Sequence, residues 1–112
     1  MLPPIKLDEM MDKYEIMPSN YVTAPNSSGH TLWKLSPHLY CVRVTGVSSI
    51  SGSGDYDITI NNLPNIAIAV GVSYISKYAI VAGALSSTQL RFRNVSDTTL
   101  SNFEIRCFFI VA

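Results

Sequence analysis

Few side chains in this sequence carry groups able to do chemistry, and their spacing limits what that chemistry could be. His30 and His38 both fall in a turn-rich stretch and read as exposed or locally bonded rings, not as an acid–base pair. Asp55 and Asp57 flank Tyr56 in SGSGDYD, which superficially suggests a cation loop. Calcium needs more oxygen ligands at regular spacing, whereas these two carboxylates read as lying on opposite faces of a strand start, next to a hairpin turn. The GSG within that run is followed by neither a helix nor a Lys-Ser/Thr pair, so it makes no phosphate cradle. No serine occupies a nucleophile elbow. Arg91, Arg93 and Arg106, with Glu104 available, read as a salt-bridged surface in preference to an anion site. Cys41 and Cys107 match no metal or redox spacing. They are expected as free thiols in or near a core, the alternative being a disulfide between the first and last major strands. The sequence therefore offers no catalytic residue, metal ligand or cofactor motif, and the chain reads as a non-enzyme.

Composition narrows the class further. The chain has 112 residues, enough for one domain with a real core, and a formal net charge of zero. Only 14% of residues are charged, against about a quarter in ordinary domains. Together with a mean hydropathy of +0.22, that argues against disorder. It also argues against nucleic-acid binding, which would show clustered Lys and Arg. So little charge leaves apolar surface to be covered by other subunits. The start, MLPPIKLDEMMDKYEIM, has prolines and acidic residues where a signal peptide would be basic and then apolar; synthesis in a cytoplasm is expected. The triplets Asn26-Ser27-Ser28 and Asn94-Val95-Ser96 fit the glycosylation pattern but mean little without a secretory route.

The elements that would hold these groups divide near residue 39. Residues 1–38 contain five of the six prolines and show no strand period. Leu7 to Met17 could form a short helix ended by Pro18. The following SNYVTAPNSSGHTLWKLSPH is polar and turn-rich, with Leu32, Trp33 and Leu35 as one apolar group. Residues 1–38 are therefore expected to be an extended anchoring arm, with Tyr21, Leu32, Trp33 and Leu35 as its anchors on a partner. From Leu39 onward, strands and turns alternate: Tyr40–Gly46, Tyr56–Ile60, Ile66–Tyr74, Tyr78–Ala84, Thr88–Asn94 and Phe103–Ala112. About six closely spaced strands with no helical period predict an antiparallel β-sandwich over 39–112.

The run IAIAVGVSYISKYAIVAGAL, Ile66 to Leu85, tests that assignment. About twenty apolar residues can span a bilayer as a helix. Here Lys77 falls mid-run, where a spanning helix tolerates it least, and the residues alternate large against small, as a strand requires. Two strands are expected, without membrane insertion. Ala67, Ala69, Gly71 and Ser73 would form a bare face that lets another subunit approach closely. Phe108 and Ile110, opposite the Phe103–Val111 face of the last strand, would join it in an oligomer interface.

The pieces Leu63-Pro64-Asn65-Ile66, Val70-Gly71, Thr88-Gln89-Leu90-Arg91-Phe92-Arg93-Asn94 and Phe103 to Ala112 resemble the C-terminal β-domains of bacteriophage tail fibres and related virion appendages. That group shares its gapped hydrophobic pattern with the H-type lectin fold. The resemblance covers about half the chain. It implies a six-stranded sandwich that forms homotrimers and a place in the virion beside other virion proteins. In this chain, a short arm before the domain suits a tail, fibre or capsid-decoration component. The resemblance also implies an alternative, a lectin-like module that binds a host surface glycan. Its candidate residues are Asp55, Tyr56, Tyr74, Lys77 and Tyr78, since tyrosine faces stack on sugars.

Overall fold

The computed structural model describes residues 14–72 and 80–112. Among them the chain forms β1 (Glu15–Ile16), β2 (Val22–Thr23), β3 (Gly29–Lys34), β4 (Leu39–Ile50) and β5 (Asp55–Ile60). It continues with β6 (Ile66–Val72), β7 (Ile80–Ala84), β8 (Gln89–Asn94) and β9 (Leu100–Val111). A five-stranded sheet runs in the order β1-β3-β4-β9-β6 and a four-stranded sheet in the order β2-β5-β8-β7. All pairings are antiparallel. The expected all-β sandwich is the observed fold, and the expected strands correspond to β4 through β9. The run from Ile66 to Leu85 supplies β6 to one sheet and β7 to the other. No helix among the described residues is long and apolar enough to cross a membrane.

Alternation builds the core. Leu32, Val42, Val44, Ile105 and Phe109 point inward from the five-stranded sheet and meet Ile58, Leu90 and Phe92 from the four-stranded one. Each is essentially removed from water, at roughly 1.5–3 kcal/mol per large aliphatic or aromatic side chain. Tyr40 and Phe109 are cross-strand partners whose rings stack at 5.6 Å, an arrangement that adds to simple burial. The central pair β4–β9 is longer than its alternation suggests. Its register shifts between Val44 and Val47, where Gly46 takes φ +60°. A Cβ there would run into the Ser28 side chain. Gly46 is thus a bulge residue and not a strand end, and β4 continues to Ile50.

A second bulge overturns the expected facing of β6. Register shifts between Ile66, opposite Val111, and Ile68, opposite Ile110. Ile66 packs inward, the extra residue Ala67 is exposed, and from Ile68 on the parity is reversed. Ile68 is 52% exposed, while Ala69 packs against the core. Gly71 is the register partner of the inward Cys107. The small Ala69 lines the crowded interior, and the bulky Ile68 faces out.

The expected arm is corrected as well. Glu15 and Ile16 are strand, which removes the C-terminal end of the helix expected over Leu7–Met17; the earlier part of that helix lies outside the described residues. β3 pairs along its whole length with β4, from Gly29 opposite Thr45 to Lys34 opposite Tyr40. Leu32 is 2% exposed inside the main core, so it cannot anchor a partner. β1 and β2 each add a two-residue edge, one to each sheet, and the turn at Ser19–Tyr21 carries the chain between them. Residues 14–38 are part of the sandwich.

Asn94, which begins one of the glycosylation triplets, is fully buried. Its Nδ2 donates to the carbonyls of Thr98 (2.8 Å), Ile50 (3.2 Å) and Ser51 (3.3 Å), and its Oδ1 accepts from the Ser96 N–H and hydroxyl. This one amide staples the β4–β5 turn to the β8–β9 loop.

Two measurements check this architecture. A chain starting at Leu39 loses the β3 ladder and uncovers the core that Leu32 closes, so it should show no cooperative unfolding transition by circular dichroism. A cooperative transition in that chain would restore the arm. Asn94→Ala leaves buried carbonyls and donors unpaired and should lower unfolding free energy by about 3 kcal/mol in denaturant titration.

Candidate interaction surfaces

With both inner faces spent on the core, the outward faces are where this molecule can meet anything. They differ sharply. On the four-stranded sheet, Asp55 and Asp57 share one face, because they are two residues apart on β5; the expectation of opposite faces is wrong. Register sets Asp55 beside Arg93 and Asp57 beside Arg91. Arg91 donates to both Asp57 oxygens at 2.9 and 3.0 Å, and Arg93 to both Asp55 oxygens at 2.8 and 3.3 Å. Asp55 also lies 3.6 Å from Arg91. The hydrogen bond from Arg93 holds the Asp55 carboxyl below its ordinary pKa, and the bonds that Arg91 and Arg93 donate to Asp57 and Asp55 raise the two guanidinium groups. Beside this ladder, Val81, Leu85 and Val95 border an open trough of about 300 Å³. At its floor, nothing would touch a Cβ placed on Gly83.

The outward face of the five-stranded sheet is mainly apolar. Register aligns Ile16, Trp33, Cys41 and Phe108 across β1, β3, β4 and β9. The neighbouring row runs Leu39, Ile110 and Ile68. Trp33, Cys41, Leu35 and Phe108 pack together as a small second cluster outside the main core. The Trp33 indole N–H is buried and finds no acceptor among the described residues. On the other side of the Trp33 row come Arg43 and Arg106, joined by Glu104 at 2.8 and 3.3 Å. Arg106 therefore sits on a different sheet from Arg91 and Arg93, and the three do not form one patch.

The sequence-derived site residues scatter over these surfaces. Phe108 and Ile110 lie outward as expected; Ala67 is exposed at the bulge, Ala69 is turned inward, and Ser73 lies outside the described residues. Among the expected anchors, Tyr21 packs against the core and Leu35 against Trp33, while Leu32 and Trp33 are buried. Of the glycan candidates, Tyr56 is 7% exposed with its hydroxyl donating to the Pro25 carbonyl at 2.6 Å. Burial raises its pKa, and its ring has no free face to offer a sugar. Asp55 is committed to arginines, and Tyr74, Lys77 and Tyr78 lie outside the described residues. His30 Nε2 is 2.9 Å from the Ser19 carbonyl and His38 Nδ1 is 3.2 Å from that of Val111; both rings are locally bonded.

Cys41 and Cys107 are both buried and form no disulfide. Cys107 is the register partner of Val42 and so faces the core, whereas Cys41, the next residue along β4, faces out. Opposite faces of one sheet rule out the disulfide alternative. Burial pushes Cys41 up to about 11 and Cys107 to about 12, so neither is a thiolate at neutral pH. The residues that sequence reasoning missed are Ile16 and Ile68. Nothing local marks Ile16 as a strand residue, and only the bulge turns Ile68 outward.

No protein-family model, curated protein or solved structure shows a significant match to this chain.

The Asp55 pairing gives a pH prediction. A carboxyl depressed in the folded state stabilises fully above its unfolded pKa and loses that contribution as pH falls through the folded value. Stability should therefore decline on acidification below about pH 3.9, and Asp55→Asn should flatten that decline. Parallel acid limbs in the parent and variant would mean the pair contributes nothing to the pH dependence.

Proposed function

We propose that this chain is a non-enzymatic structural protein of a phage virion, a tail, fibre or capsid-decoration component that associates with itself through its β-sandwich. The observation that carries this reading is the outward face of the five-stranded sheet, where Ile16, Ile68 and Ile110 are 63%, 52% and 38% exposed around the Trp33 cluster. An exposed apolar area of that breadth marks a contact surface. The charged groups beside it, Arg43, Glu104 and Arg106, are engaged with one another and not arranged around a reacting atom. The virion setting rests on the resemblance of β6, β8 and β9 to phage appendage domains, as does the expectation of a trimer. Since residues 14–38 are spent in the sheets, attachment to other virion proteins falls to residues 1–13.

Quantitative mass spectrometry of purified particles from the encoding phage should find the chain in many copies per particle. Deleting residues 1–13 should deplete it from particles while the sandwich still unfolds cooperatively. Absence from particles, combined with selective binding on a glycan array, would instead support the lectin-like alternative.

A further inference from the structure

We propose that the outward face of the five-stranded sheet binds the same face of a second copy, in a two-fold contact whose axis runs across the strands. This deepens the self-association proposed above and rests on it. The two apolar rows, Ile16-Trp33-Cys41-Phe108 and Leu39-Ile110-Ile68, span the sheet from edge to edge. With strands about 4.8 Å apart and same-face residues about 7 Å apart, the band measures roughly 24 by 14 Å. Trp33 and Cys41 are already buried by their own chain. Stacking two such faces therefore covers chiefly Ile16, Ile68, Ile110 and the half-buried Leu39 and Phe108. With the flanking rows, it buries on the order of 1,000 Å² in total, the lower bound for a specific interface.

The charges choose among the possible stackings. Arg43, Glu104 and Arg106 lie on one side of the band only, next to the Trp33 row. A two-fold axis along the strands would set Arg43 and Arg106 against their own copies, placing like charges together in a drying interface. An axis across the strands reverses strand direction in the partner. The charged rows then move to opposite ends, each over the exposed polar turn Ser36–His38 of the other copy. The apolar rows exchange places, so Phe108 of one copy sits on Ile110 of the other, within the usual tilt of about 30° between packed sheets. A closed three-fold ring joins two different surfaces of each copy, whereas this band matches itself, so the two-fold contact replaces the trimer that the resemblance implies.

Light scattering after size exclusion, over a range of micromolar concentrations, tests this. The parent protein should have twice the 12.3 kDa of one chain. Ile110→Glu should weaken the dimer about 30-fold or more, as expected for a central contact worth at least 2 kcal/mol. Ile68→Glu should act in the same direction, and both variants should keep cooperative unfolding by circular dichroism. Val81→Glu, on the outward face of the other sheet, should leave the dimer intact. A trimer, or a dimer that survives both Ile110→Glu and Ile68→Glu, would overturn this contact while leaving self-association standing. A monomer at every concentration would overturn both.

Discussion

A strand presents its side chains alternately to two sides, and one added residue reverses every assignment that follows. In β6 that residue is Ala67. Without it, Ile66 and Ile68 would both point into the core and Ala69 would face out. With it, Ala69 packs inside against a crowded layer, and Ile68 joins Ile110 on the outer surface. The apolar band on the five-stranded sheet is complete to its edge only because of this bulge. The second bulge, at Gly46, keeps the longest pair in phase: Val44 and Val47 both reach the core although an odd spacing separates them.

The two outward faces then divide the surface between two kinds of interaction. On the four-stranded sheet, two bidentate Asp–Arg pairs neutralise each other in partly exposed positions, where solvent screening leaves such pairs little net effect on stability. Their effect is to keep that part of the face charge-balanced beside the apolar trough of Val81, Leu85 and Val95. The other face concentrates Trp33, Phe108 and the exposed isoleucines and confines its charges to one side. A sequence with only 14% charged residues cannot solvate both faces. The broader apolar band lies on the five-stranded sheet, and a smaller one, Val81, Leu85 and Val95, lies on the other.

Much of this was legible in the sequence, and the failures have specific causes. The strands β4 to β9 and the inward positions Val42, Val44, Ile58, Leu90, Phe92 and Phe109 follow from plain alternation. β3 was hidden because Leu32 and Trp33 are adjacent: one fills the core and the other the outer cluster, so together they read as a local clump and not as a period. β1 and β2 are two residues each, too short for any period, and they exist only because β3 and β5 offer edges. Gly46 looked like punctuation, which a glycine at a bulge resembles closely. The β6 bulge carries no glycine or proline to announce it, so Ala69 was assigned to the wrong surface. Tyr56 reads as an aromatic able to stack on a sugar, but the β2–β3 connection brings the Pro25 carbonyl to its hydroxyl.

The facing of β6 can be measured directly by comparing Ile68→Lys with Ala69→Lys in denaturant titrations at low protein concentration. A bulged β6 requires Ala69→Lys to bury an unpaired charge and to cost about 3 kcal/mol or more, while Ile68→Lys, already in solvent, should shift the unfolding midpoint little. The reverse pattern, with Ile68→Lys crippling and Ala69→Lys tolerated, would contradict the bulge and with it the apolar face.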